Sequence, residues 1–84
     1  MSYHVSIEKS VVKQLAKVPE PDYSRIKSAI LALAQNPRPV GYKKLKGRPA
    51  YRIRQGNYRV IYEVNDQQLR VLVVAVGNRK DIYQ

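Results

Sequence analysis

Two periodicities divide the chain, a helical one in its first half and an alternation of two in its second. Tyr3, Val5 and Ile7 alternate with polar neighbours and predict a short first strand. From a start near Ser6 to Lys9, Val11, Val12, Leu15 and Val18 fall at helical spacing, with Lys9, Lys13 and Lys17 on the other side. Pro19 and Pro21 end that helix and open a second, Pro21 or Asp22 suiting its first turn. There Tyr23, Ile26, Ile30 and Leu33 make one apolar stripe, while Ala29, Ala32 and Ala34 permit the close approach of a neighbour. Asn36-Pro37 closes this helix, because the residue before a proline is pushed out of the α region.

From Gly41 onward the period is two. Tyr42 to Leu45 predicts a short edge strand, followed by a turn at Gly47-Arg48-Pro49. Tyr51 to Gln55 and Tyr58 to Val64 predict a hairpin about Gly56-Asn57, and Asn65 to Gln68 the next turn. Leu69 to Val76 is a nearly continuous β-branched run, expected to be a central strand covered on both faces and ended by Gly77 and Asn78. The expected fold is α+β: an N-terminal strand, a two-helix hairpin, then a mostly antiparallel three- to four-stranded sheet with helices on one face. With 84 residues, one domain spanning 1–84 is the expected organisation.

The hairpin sets a register. With Gly56 and Asn57 as the loop, Gln55 pairs with Tyr58, Arg54 with Arg59, Ile53 with Val60, and Arg52 with Ile61. Tyr51, Ile53, Val60, Tyr62 and Val64 then share the face that the helices cover. Arg52, Arg54, Arg59, Ile61 and Glu63 share the other, so three arginines converge on an open sheet face. Like charges placed opposite each other destabilise a sheet, so an anion that neutralises them explains the arrangement better than the fold does. A register slipped by one residue would send Arg52 and Arg54 to the helix side.

Charge sharpens this picture. Sixteen Lys and Arg against six Asp and Glu give a formal net charge of +10. The excess is concentrated in residues 38–84, and no acid lies between Arg38 and Arg59. Such a one-sided field attracts polyanions. Arginine suits phosphate because its planar fork donates two parallel hydrogen bonds and stays charged. Lys43, Lys44, Lys46 and Arg48 precede the hairpin, Lys80 follows the last strand, and all five are candidate contacts to a nucleic-acid backbone. Tyr42, Tyr51, Tyr58, Tyr62 and Tyr83 offer stacking surfaces for unpaired bases, which favours RNA, although Tyr51, Tyr58 and Tyr62 at strand spacing read first as core.

Other chemistries have little to work with. There is no cysteine, His4 is the single histidine, and six scattered acids offer no evident two-metal cluster, so neither a metal nor a cofactor is expected. No apolar run approaches the ~20 residues needed to span a bilayer, and Met1 to Glu8 lacks the pattern of a signal peptide. A soluble, cytoplasmic protein with no membrane partner is the expectation.

Leu45-Lys46-Gly47, Tyr51-Arg52-Ile53-Arg54, Gly56-Asn57-Tyr58-Arg59-Val60-Ile61-Tyr62 and Val76-Gly77-Asn78-Arg79 with Tyr83 resemble, in order and spacing, the RelE/ParE superfamily of small toxins, and within it the RelE-type messenger-RNA endonucleases. The resemblance implies a toxin of a type II toxin–antitoxin module that cuts message in the ribosomal decoding site. It implies attack of the 2′-hydroxyl on the adjacent phosphate without metal. Carried over by position, Arg59 and Arg79 would contact the scissile phosphate, Arg52 and Arg54 would stand where the best-known member has lysines, and Tyr83 would help to activate the 2′-hydroxyl. The implied partners are mRNA, the ribosome with its 16S rRNA, and an acidic antitoxin that wraps Arg52, Arg54, Arg59 and Arg79 in a hetero-oligomeric complex. Arginine hardly deprotonates, so Arg52 and Arg54 keep the charge of the lysines but not their acid–base capacity. No C-terminal helix of the kind seen in relatives is expected after Tyr83, and the tail is expected to move in the free protein. Two other readings share the fold: a ParE-like inhibitor of DNA gyrase without nuclease chemistry, and a plain nucleic-acid-binding module.

Overall fold

A computed structural model describes residues 2–78. Its elements in chain order are β1 (His4–Ile7), α1 (Lys9–Ala16), α2 (Asp22–Ala32), β2 (Lys43–Lys44), β3 (Ala50–Gln55), β4 (Tyr58–Asn65) and β5 (Arg70–Asn78). The strands form one sheet in the order β1-β5-β4-β3-β2. All neighbours run antiparallel except β1, which lies parallel to β5.

The α+β architecture agrees with the expectation, and the local signals lie where the sequence put them. Pro21 immediately precedes α2, and the Glu20 carboxylate accepts hydrogen bonds from the Ser24 amide (3.1 Å) and hydroxyl (2.8 Å), tying down the first turn. Gly56 takes φ +60° at the first loop position of the β3–β4 hairpin, a conformation glycine adopts without a Cβ penalty.

The core lies between the helices and one sheet face. Val11 and Leu15 from α1, Ile26 and Ile30 from α2, and Leu33 just beyond it are buried against Ile53, Val60, Tyr62, Val71, Val73 and Val76. Val12, expected in the α1 stripe, is instead about half exposed, because one turn of helix offers this sheet only the Val11–Leu15 line. β5 is interior to the sheet, between β1 and β4, yet only its helix-side residues are fully buried; Leu72, Val74 and Ala75 on the far side are half-covered. The far face is therefore not covered as the continuous apolar run suggested, since no second layer of helices exists among the described residues. A bulge explains the odd parity of this strand: Ile61 pairs with Ala75 but Tyr62 with Val73, so Val74 is the extra residue and Val76 returns to the core.

A second, smaller apolar cluster sits on the far face. Leu45, Ala50 and Ile61 are buried there, with Val74 and Ala75 packed against them. No helix among the described residues is long and apolar enough to cross a membrane.

Candidate nucleic-acid interface

The β3–β4 register is the expected one: Arg54 pairs with Arg59, Arg52 with Ile61, and Gln55 with Tyr58. Arg52, Arg54 and Arg59 thus share the sheet face away from the helices. β2 extends it, because Lys43 pairs with Arg52 and so carries its side chain to the same side. On the other flank Gly77 of β5 pairs with Arg59, so the neighbouring strand carries no side chain at that position.

The three arginines are not equivalent. Arg54 is exposed and Arg59 half-buried, but Arg52 retains only 5% of its surface. The face is therefore not open at Arg52, as had been expected. Burial, together with the charges of Arg54 and Arg59, pulls the Arg52 guanidinium below its ordinary pKa. A cation held beside two others in a desolvated position gains from any arriving anion.

Lys43, Lys44, Lys46 and Arg48 are all exposed. Lys44 pairs with Tyr51 and lies on the opposite side of the edge from Lys43, and its Nζ donates to the Arg48 carbonyl (3.3 Å). Lys43 joins the arginine face, whereas Lys44 braces the turn toward Pro49. Arg79, Lys80 and Tyr83 lie outside the described residues. Among the described residues no three His, Asp or Glu side chains come together in the manner of a metal site.

Two features escaped the sequence reading. The Leu45–Ala50–Ile61 cluster seats the β2–β3 turn on the arginine face; alternation from Lys43 to Leu45 was the available signal. The second is a clasp at the other end of the sheet. Arg38 pairs with Asp66 (2.9 Å) and donates to the Tyr51 hydroxyl (3.1 Å), its guanidinium standing 5.0 Å from the Tyr51 ring centre. The Tyr3 hydroxyl donates to the same carboxylate at 2.7 Å. Hydrogen bonds from Arg38 and Tyr3 hold Asp66 below the usual carboxylate range, and the bond to Asp66 raises the Tyr3 phenol. The buried Tyr62 hydroxyl donates to the Pro37 carbonyl (2.6 Å), and burial pushes that phenol up to about 12. Together these bonds fasten the segment that leads into Lys43. No local pattern announces a pair 28 residues apart.

The chain is similar to known proteins over nearly its whole length. Residues 5–83 match the family described as ParE toxin of type II toxin–antitoxin system, parDE. The chain is 32% identical to a putative toxin RelE1 of Methanocaldococcus jannaschii, over 100% of this chain and 98% of that one. The chain belongs to the RelE/ParE toxins. Its RelE character is plain in further relatives. The mRNA interferase toxin RelE of Escherichia coli K12 is 29% identical over 95% of this chain and 86% of its own length. The RelE–RelB complex of Pyrococcus horikoshii contains a chain that superposes with a TM-score of 0.85 at 34% identity, covering 98% of this chain and 100% of that one. The toxin described here is thus a RelE-type member of a toxin–antitoxin system, with the arginine face as its candidate site.

Proposed function

We propose that this RelE-type toxin is a ribosome-dependent, metal-independent endoribonuclease that cuts mRNA in the decoding site and so stops translation in the cytoplasm. The observation that carries the reading is the Arg54–Arg59 pair, with Arg52 beside it on the face away from the main core. The name of the Escherichia coli relative, an mRNA interferase, supports the same chemistry.

In this reaction the 2′-oxygen attacks the adjacent phosphorus and the bond to the 5′-oxygen breaks. A 2′,3′-cyclic phosphate and a 5′-hydroxyl remain, one proton leaving the 2′-oxygen and one reaching the 5′-oxygen. Arg59 and Arg79 would hold the phosphate as its charge grows, and preorganised cations act most strongly at that moment. Arg54 would contact the strand from the exposed edge. Arg52, being buried, would tune the field of the other two and hold the scissile region from below. Tyr83 would take the 2′-proton; a phenol near pKa 10 is a poor base at neutral pH, and neighbouring guanidinium groups favour its ionised form. Lys43, Lys46 and Lys80 would track the message or 16S rRNA, with Lys44 and Arg48 supporting that edge.

An acidic antitoxin would neutralise the same face, in a hetero-oligomeric complex. Several solved relatives are RelE–RelB complexes, which supports a partner of that kind. One alternative is a gyrase inhibitor on the same fold, which the RelE relatives do not favour. Primer extension and end-group analysis on a translated message, alongside a supercoiling assay, separates the two. Cyclic-phosphate ends within the reading frame, reduced in Arg79→Ala and Tyr83→Phe, are expected. Intact message with loss of supercoiling would replace the nuclease with the gyrase inhibitor.

A further inference from the structure

β2 is too short to place itself. It spans Lys43 and Lys44 alone, whereas strands usually run to about 3–10 residues. Yet the arginine face draws on it, because Lys43 reaches that face only while it pairs with Arg52. Anchors outside β2 must therefore fix it. Beyond Lys44, the Leu45 amide donates to the Ala50 carbonyl (2.9 Å) and the Leu45 side chain is buried. Before Lys43 lies a strap, residues 37–42.

The strap is fastened at both ends. At its start the Pro37 carbonyl accepts from the Tyr62 hydroxyl, and Arg38 is held by Asp66 and Tyr51. At its end the Tyr42 amide donates to the Pro39 carbonyl (3.0 Å), and the Tyr42 ring stands 5.9 Å from that of Tyr51. Tyr51 lies 5.9 Å from Tyr62 in turn, so three rings form a ladder along which the strap runs. Between the two fastenings Val40 stands entirely in solvent. The tie at Arg38 depends on Asp66, which arrives from the turn between β4 and β5 and which the Tyr3 hydroxyl also holds.

The charge of Asp66 makes its part testable by sign. A carboxylate lowers the attraction of a +10 chain for a polyanion. If Asp66 acted only through that field, its removal would tighten the grip on RNA. If it holds the strap, its removal frees β2, and Lys43 must then be ordered at the moment of binding. A contact ordered in advance avoids that cost.

We propose that Asp66 and Arg38 are positioning residues: their clasp holds the strap, the strap holds β2, and β2 presents Lys43 beside Arg52 for the phosphate backbone of the message. The inference rests on the endoribonuclease reading above and gives the clasp a part in binding rather than in the bond-breaking step. The test follows the rate of message cleavage against toxin concentration, on ribosomes stalled with one codon in the decoding site. It compares the wild type with Asp66→Ala, Lys43→Ala, the double variant and Ser24→Ala. Asp66→Ala is expected to raise the half-saturating concentration about three- to tenfold, with the rate at saturation within about twofold of wild type. This is expected although the loss of one negative charge takes the formal charge from +10 to +11. Lys43→Ala should do the same, and the double variant should be no worse than Lys43→Ala alone, because residues that act through one another are not additive. Ser24→Ala, which breaks an exposed hydrogen bond at the start of α2, should match the wild type. Tyr3→Phe removes a single bond to Asp66 and should shift half-saturation in the same direction by less, which keeps the comparison open if Asp66→Ala folds poorly. Half-saturation unchanged or lowered in the Asp66 and Tyr3 variants, or effects that multiply in the double variant, overturns the clasp and leaves the nuclease standing. Absence of cleavage by the wild type removes the nuclease reading, and the positioning role with it.

Discussion

The two faces of the sheet are built from the same strands and serve opposite ends. On the helix side Ile53, Val60, Tyr62, Val71, Val73 and Val76 close over α1 and α2 with almost no exposed surface. On the other side Arg52, Arg54 and Arg59 share a face with the small Leu45–Ala50–Ile61 cluster. Burial makes the first face stable, whereas like charges opposite one another make the second a liability. Alternation lets one hairpin carry both, so stability and chemistry can be changed separately by substituting neighbouring residues.

Substitutions that separate the faces should differ most sharply. Ile30→Ala empties a fully buried site and is expected to cost about 2–5 kcal/mol in urea unfolding, enough to threaten a domain of this size. Arg59→Ala should lower message cleavage roughly 100- to 1000-fold, the loss typical of removing one transition-state donor. Its unfolding free energy should change far less than that of Ile30→Ala, because Arg59 lies outside the main apolar core.

Tyr62→Phe should cost about 1–3 kcal/mol by leaving the Pro37 carbonyl without its donor. It also changes the alkaline limb. The folded pKa of Tyr62 lies above its unfolded value, so burial of the neutral phenol contributes fully below pH 10 and is lost as pH rises from there toward 12. The variant should therefore unfold less steeply than wild type across that window. The smallest effect belongs to Asp66→Asn, an exposed pair far from the core. The folded pKa of Asp66 is depressed, so its contribution holds above the ordinary carboxylate range and is lost as pH falls through the folded value. Melting curves of wild type and Asp66→Asn should converge in acid and differ slightly at neutrality.

The sequence carried the hairpin because its determinants are local. Gly56-Asn57 sets the loop, and the loop sets which residues face which. The α2 stripe of Ile26, Ile30 and Leu33 was legible for the same reason. Features that depend on contacts across the chain were not. Arg52 is buried because of what packs around it, including the neighbouring arginines and the β2 edge, and strand alternation reports a face but not its depth. The bulge at Val74 leaves no trace in a run of uniformly apolar residues. Asp66, read as part of a turn, serves as the anchor for Arg38 and Tyr3 from distant segments. Of the candidate site, Arg52, Arg54 and Arg59 come together as the register required and Lys43 joins them, while Lys80 and the residues assigned by resemblance alone, Arg79 and Tyr83, lie outside the described residues.

The central claim is that the arginine face is kept for RNA rather than for the fold. Its most direct measurement pairs cleavage with stability in one variant: induced expression of wild type and Arg59→Ala, primer extension on a translated message, and urea unfolding of both purified proteins. The account predicts in-frame cleavage by the wild type, its near-complete loss in Arg59→Ala, and a change in stability far smaller than that of Ile30→Ala. Undiminished cleavage by Arg59→Ala, or lost cleavage with a destabilisation as large as that of Ile30→Ala, would contradict it.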